Sequence, residues 1–129
     1  MDVFEAVKTV LAVRSYEAEP VPPDVTAQIV QAGRLTGSSM NRQPWHFVVV
    51  EERQTLEKLA DLACSGPDIA QAPLAVVVAV EKKSPYAVSD ASRAIQSMIL
   101  TAWAAGVGSN WVGFSNLDEV RVLLSVPEA

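Results

Sequence analysis

A chain of 129 residues fits one domain, residues 1–129, and half of it is apolar, an excess that suggests a partner surface on so small a core. The net charge of −5, with no dense basic run, argues against nucleic acid, and the lone cysteine excludes an intrachain disulfide or a Cys-based zinc cluster. Arg93 and Gln96 interrupt the most apolar stretch below membrane-span length, and Asp2 and Glu5 replace the basic start of a signal peptide, so a cytoplasmic protein is expected.

In chain order, Asp2 caps a first helix with Phe4, Val7 and Leu11 on one apolar stripe, widened by Val3 and Val10. Pro20, Pro22 and Pro23 break regularity, and Pro23 suits the first turn of a second helix that buries Val25, Ile29, Val30 and Ala32. Gly33 weakens that helix and Gly37 lies beyond it. Ser38 to Pro44 has turn chemistry, and Trp45 to Val50 reads as a strand.

A third helix, about Arg53 to Cys64, places Leu56, Leu59, Ala60 and Ala63 on one face and ends at Ser65-Gly66-Pro67. Leu74 to Val80 is an apolar run typical of a strand covered on both faces. Ala87 to Ala105 is helical, with Val88, Ala91, Ile95, Ile99 and Ala102 on one face and Met98 and Trp103 elsewhere. A helix apolar nearly all round must be covered nearly all round, which predicts a second copy of the chain against it, with Ala94 and Ala102 as trial contact positions. Gly106 stops the helix, Val107 to Phe114 reads as a third strand, and Asn116 caps a last helix carrying Leu117, Val120, Leu123 and Leu124. The expected class is α/β (α+β): a small mixed or antiparallel sheet flanked by helices on both faces.

Self-contained catalytic sets are missing from the sequence. His46 is the one histidine and sits in a strand beside Trp45, where a structural or exposed role outweighs general-base work. Cys64 reads as a small hydrophobe at a helix end. No nucleophile elbow, Walker loop or H-E-x-x-H occurs, and Glu51, Glu52, Glu57 and Asp61 look like solvated helix faces. No catalytic side chain and no metal site are therefore expected. Such a chain suits an enzyme whose cofactor carries the chemistry.

Three stretches give that expectation content. They are Arg14-Ser15-Tyr16 with Pro20-Val21-Pro22, Ser38-Ser39-Met40-Asn41-Arg42-Gln43-Pro44-Trp45-His46-Phe47, and Asp90 to Ala105 running into Gly106-Val107-Gly108-Ser109-Asn110-Trp111-Val112-Gly113. In order and spacing they resemble the nitroreductase family along essentially the whole chain. The resemblance implies a homodimer with the long helix at its interface. It also implies flavin mononucleotide (FMN), with hydride passing from NADH or NADPH through the flavin to a nitroaromatic, quinone or related small-molecule acceptor. It assigns the cofactor to Arg14, Ser15, Ser38, Ser39, Asn41, Gln43, Val112 and Gly113. Ser38, Ser39 and Asn41 would reach a flavin held chiefly by the other subunit. Chemically, Arg14 and Ser15 can donate to a phosphate or carbonyl oxygen, amides at Asn41 and Gln43 can both donate and accept, and Gly113 lets backbone approach a ring.

Taken singly, the same residues have plainer readings. Ser38, Ser39 and Asn41 can build a tight turn, Arg14 can be a surface arginine, and Gly106 and Gly108 can be a helix stop. The sequence also departs from the family's pattern. Val13 and Glu17 stand where basic residues commonly flank the serine, Gly37 replaces a proline, and Val112 replaces a polar residue. Family members also run on past the position of Ala129 into another strand. These departures support an alternative, a non-catalytic or degenerate dimer or nucleotide-binding module that keeps the fold. A relative acting on a halogenated substrate or using a deazaflavin is a third reading.

Overall fold

The computed structural model describes residues 1–64 and 66–128; Ser65, part of the expected helix stop, lies outside them. Helix α1 spans Val3–Thr9 and is capped by Asp2, whose Oδ1 accepts from the Glu5 amide at 2.8 Å. Its apolar stripe points away from the rest of the chain. Val3, Phe4, Val7 and Leu11 are all exposed, and Ala6 is the buried residue. The helix is tied inward by the Trp103 indole N–H, which donates to Thr9 Oγ1 at 2.9 Å.

Helix α2 spans Pro23–Arg34 with Pro23 in its first turn and Ile29 and Gly33 buried. Strand β1, Trp45–Val50, pairs antiparallel with strand β2, Ala75–Val80, matching Trp45 to Val80 and Val50 to Ala75. Between the strands come helix α3, Arg53–Leu62, and a 3-10 turn at Pro67–Gln71. Helix α4, Ala87–Ala104, and helix α5, Leu117–Leu123, follow, the latter capped by the Asn116 side chain.

Alternation along the strands divides the apolar side chains between two layers. On one face Phe47, Val76 and Val78 pack against Ile29 of α2 and Met98 and Ala102 of α4. On the other, Val48, Val50, Ala75 and Val77 pack against Leu56 and Leu59 of α3, Ile69 of the 3-10 turn and Val120 of α5. Helices therefore cover both faces of a small antiparallel sheet. Leu56 and Leu59 are fully buried, which makes α3 the anchor of its layer.

Two expectations are corrected. Among the described residues the segment from Val107 to Phe114 forms no strand; it makes only single bridges, Ser109 with Ala12 and Phe114 with Ala63. A strand needs a neighbouring backbone along its length, and this segment is separated from β2 by a cavity of about 610 Å³. The far edge of β2 accordingly has no strand partner among the described residues. Ala94 and Ala102 are also turned inward, at 0% and 4% exposure, so neither lies on the outer surface of α4, whereas Val88, assigned to its apolar face, is exposed. Small residues at these positions let α4 lie close to its own neighbours.

Candidate functional site

The chain enters the site along α2, which runs antiparallel to α4. A Cβ on Gly33 would meet Met98, and one on Gly37 would lie 3.5 Å from the Arg93 guanidinium. Ser39 then meets Asp90 near the start of α4, its amide donating to both carboxylate oxygens at 3.2 Å. Asp90 is 1% exposed. Beyond it the backbone makes a 3-10 turn, Ser39–Asn41, in which Met40, Asn41 and, just after, Gln43 take φ between 52° and 54°. Left-handed backbone at residues other than glycine costs roughly 1–3 kcal/mol each. Closure comes from the Gln43 amide, which donates to Ser38 Oγ at 2.9 Å, and the Asn41 amide, which donates to the Ser38 carbonyl at 3.0 Å. The result holds the side chains of Asn41 and Gln43 outward, exposed and without a protein partner among the described residues.

Arg14 and Ser15 lie at the other end of α4. The preceding residues are laid beside the segment that follows that helix: the Val13 amide donates to the Ser109 carbonyl at 2.8 Å. Gly108 permits the approach, since a Cβ there would sit 2.6 Å from Val13 Cγ2. Arg14 and Ser15 are exposed, and Arg14 makes no ion pair among the described residues. Tyr16 anchors the segment by donating its hydroxyl proton to the Val13 carbonyl at 2.6 Å. Burial first, then the negative charge of Asp68, push the Tyr16 hydroxyl up to about 12, while Arg14 pulls the other way. Tyr16 is thus a neutral phenol at ordinary pH. Asp68 has one buried carboxylate oxygen without a hydrogen-bond partner among the described residues.

Val112 and Gly113 behave differently from each other. The Val112 side chain joins the apolar layer around Leu56 and Leu59, and a Cβ on Gly66 would come within 2.8 Å of it, so only its backbone faces outward chemistry. Beyond its two chain neighbours, no atom of the described residues lies within 4 Å of where a Gly113 Cβ would sit. Its carbonyl accepts from the Cys64 amide at 2.9 Å, which leaves an open, fixed patch of backbone. Cys64 is exposed rather than buried, as is His46, and no group of acidic, histidine and cysteine side chains among the described residues can hold a metal.

Six of the eight candidate residues therefore fall into two groups, while Val112 and Gly113 lie beside Gly66 and Cys64. Ser38, Ser39, Asn41 and Gln43 cluster near the start of α4, and Arg14 and Ser15 lie just past its end, next to Gly108. At 1.5 Å per residue, the stretch of α4 from Asp90 to Ala104 is on the order of 20 Å long. One chain does not bring the two groups together. Sequence reasoning missed Asp90 as part of this arrangement. The signal was present: Asp90 and Arg93 are the charged residues in the whole of α4.

Comparison with known proteins agrees with this architecture. The nitroreductase family pattern matches residues 11–84 and 63–129. A protein of Methanothermobacter thermautotrophicus, provisionally named NADH dehydrogenase/NAD(P)H nitroreductase, is 35% identical over 99% of this chain and 71% of its own length. An FMN-dependent nitroreductase from Clostridium difficile R20291 superposes with a TM-score of 0.92 at 28% identity, covering 97% of this chain and 79% of that one. A nitroreductase with bound FMN from Bacteroides fragilis superposes at 0.83 with 27% identity and the same coverage. The family match and these relatives make the chain an oxidoreductase of α/β architecture. The chain belongs to the nitroreductase family.

Proposed function

We propose that the chain binds FMN and works as an NAD(P)H-dependent oxidoreductase on nitroaromatic, quinone or related acceptors, as a homodimer that shares each flavin between subunits. The observation that carries this reading is the separation of the candidate residues to opposite ends of α4. A two-fold axis across that helix sets the start of one copy beside the end of the other, because an isologous interface pairs each surface with itself. The Arg14 group of one subunit then meets the Ser38–Gln43 turn of its partner. The exposed stripe of Val3, Phe4, Val7 and Leu11 supports the same assembly, since soluble chains rarely leave such a patch uncovered.

The donor set suits FMN. Arg14 is an exposed cation for a phosphate, Ser15 adds a hydroxyl, and Asn41 and Gln43 offer exposed amides to groups that both donate and accept. Gly113 leaves room for a planar ring against backbone. When bound, FMN supplies the redox chemistry between NAD(P)H and acceptor. The protein's own residues bind and orient the cofactor and exclude water. A cytoplasmic setting fits the exposed, unpaired thiol of Cys64.

Complementation tests the shared site. Arg14→Ala and Asn41→Ala should each bind FMN weakly in fluorescence-quenching titrations. Mixed in equal amounts and allowed to exchange subunits, they should regain about a quarter of the wild-type sites, because half the dimers then carry one intact composite site. A mixture that stays as weak as its components sinks the shared arrangement. Wild-type protein that quenches neither FMN nor FAD sinks the flavin reading itself.

A further inference from the structure

A buried carboxylate is an expensive thing to place in an apolar helix. It costs several kcal/mol of desolvation in general, and apolar replacements of buried ion pairs are often neutral or stabilising. Asp90 is fully buried, and its nearest cation, Arg93, is mostly exposed, with Nη1 a distant 4.0 Å away. Among the described residues its close hydrogen bonds run to one group, the Ser39 amide, shared between both oxygens at 3.2 Å. The first turn of α4, with its free amides, favours a negative charge there. On the other side of that contact stands a backbone with Met40, Asn41 and Gln43 in left-handed conformations, which must be held from outside to persist.

We propose that Asp90 is a positioning residue for cofactor binding: through the Ser39 amide it locks the strained turn that presents Ser38, Ser39 and Asn41. The idea rests on the flavin reading above. Two holds fix the turn. Ser38 closes it on itself, its Oγ and carbonyl accepting from the Gln43 and Asn41 amides, and Asp90 fixes it to α4. The first is local and would survive displacement of the whole turn. The second is the one that sets where Asn41 stands relative to a neighbouring subunit. Asp90 touches neither a ligand nor a reacting group in this role; it acts through Ser39.

The experiment compares Asp90→Ala, Asp90→Asn and wild type. The readouts are FMN affinity by fluorescence quenching, melting temperature, and hydrogen exchange of the Ser39 amide in flavin-free protein by NMR. Asp90→Ala should weaken FMN binding about tenfold or more at a temperature where the protein is folded, and speed Ser39 exchange comparably. Asp90→Asn keeps one acceptor oxygen and should restore both readouts to within severalfold of wild type. A folded Asp90→Ala protein with unchanged FMN affinity or a still-protected Ser39 amide overturns the proposal.

Should Asp90→Ala fail to fold, Ser39→Pro removes the same hydrogen bond from the other side. Ser38 already has the extended backbone (φ −131°, ψ 162°) that precedes proline, and Ser39 opens the 3-10 turn. Ser39→Pro should bind FMN about tenfold more weakly than Ser39→Ala, which loses only the hydroxyl; equal binding overturns the idea. If the wild type binds no FMN, the flavin reading fails by itself. The exchange rate of Ser39 in Asp90→Ala then decides whether Asp90 holds the turn.

Discussion

Gly33 of α2 lies so close to Met98 of α4 that a Cβ on it would stand 2.8 Å from the methionine sulfur, and 3.0 Å from Phe47 Cζ. The glycine is a contact device in the last turn of the helix. Intrinsic preference would favour alanine there by roughly 1 kcal/mol. The contact reverses that preference, because α2, α4 and β1 meet at this point.

Gly33→Ala should therefore destabilise the chain by about 1–3 kcal/mol, as overpacking does, despite its better helix propensity. Denaturant unfolding measures it. Met98→Ala removes the clashing sulfur, and the double variant should be less destabilised than the sum of the two single ones. A stabilised Gly33→Ala protein would show that α2 can withdraw from α4 at no cost.

Gly113 offers the opposite test. Its Cβ position is empty and its φ is not left-handed. Gly113→Val should change stability by no more than about 0.5 kcal/mol, as ordinary surface changes do. FMN binding should nevertheless weaken at least severalfold, because branched carbons then occupy the space assigned to the ring. Unchanged affinity in a folded Gly113→Val protein would remove Gly113 from the site.

Tyr16 gives a pH dependence. Its folded hydroxyl ionises near 12 against an ordinary 10.0. A raised value means that the folded state keeps a proton the unfolded state has lost. The contribution to stability is therefore full below pH 10 and is lost as pH rises towards 12. Melting temperature recorded across that window should fall more steeply in wild type than in Tyr16→Phe. Parallel curves would mean that the phenol ionises as freely folded as unfolded.

Periodicity and caps made most of the fold legible. Asp2 and Asn116 cap the helices they were expected to cap, and Pro23 begins α2. Both long apolar runs with β-branched residues became strands. Val107 to Phe114 misled because β-branched and aromatic residues favour a strand only where a partner backbone runs along the whole segment, and among the described residues it meets one only at single bridges. The candidate residues could be named from motif order, but their division between the two ends of α4 could not. That division follows from the antiparallel run of α2 along α4, which seats Gly33, Gly37 and Ser39 successively nearer the start of the helix. Asp90 was legible as an acid in an apolar helix, although its partner, an amide 51 residues earlier, was not.

The unpartnered edge of β2 also sets a rhythm in solvent exchange. Across the sheet the Glu81 amide donates to the Pro44 carbonyl at 3.0 Å, so by alternation the amides of Ala75, Val77 and Ala79 turn towards β1. Those of Val76, Val78 and Val80 turn the other way, into the cavity beside the Val107–Phe114 segment. In the isolated chain, neighbouring valines and alanines of one apolar strand should thus trade deuterium at alternating speeds: slow where β1 holds the proton, fast where water reaches it. Any backbone that came to lie along that edge would erase the alternation and slow all six residues alike.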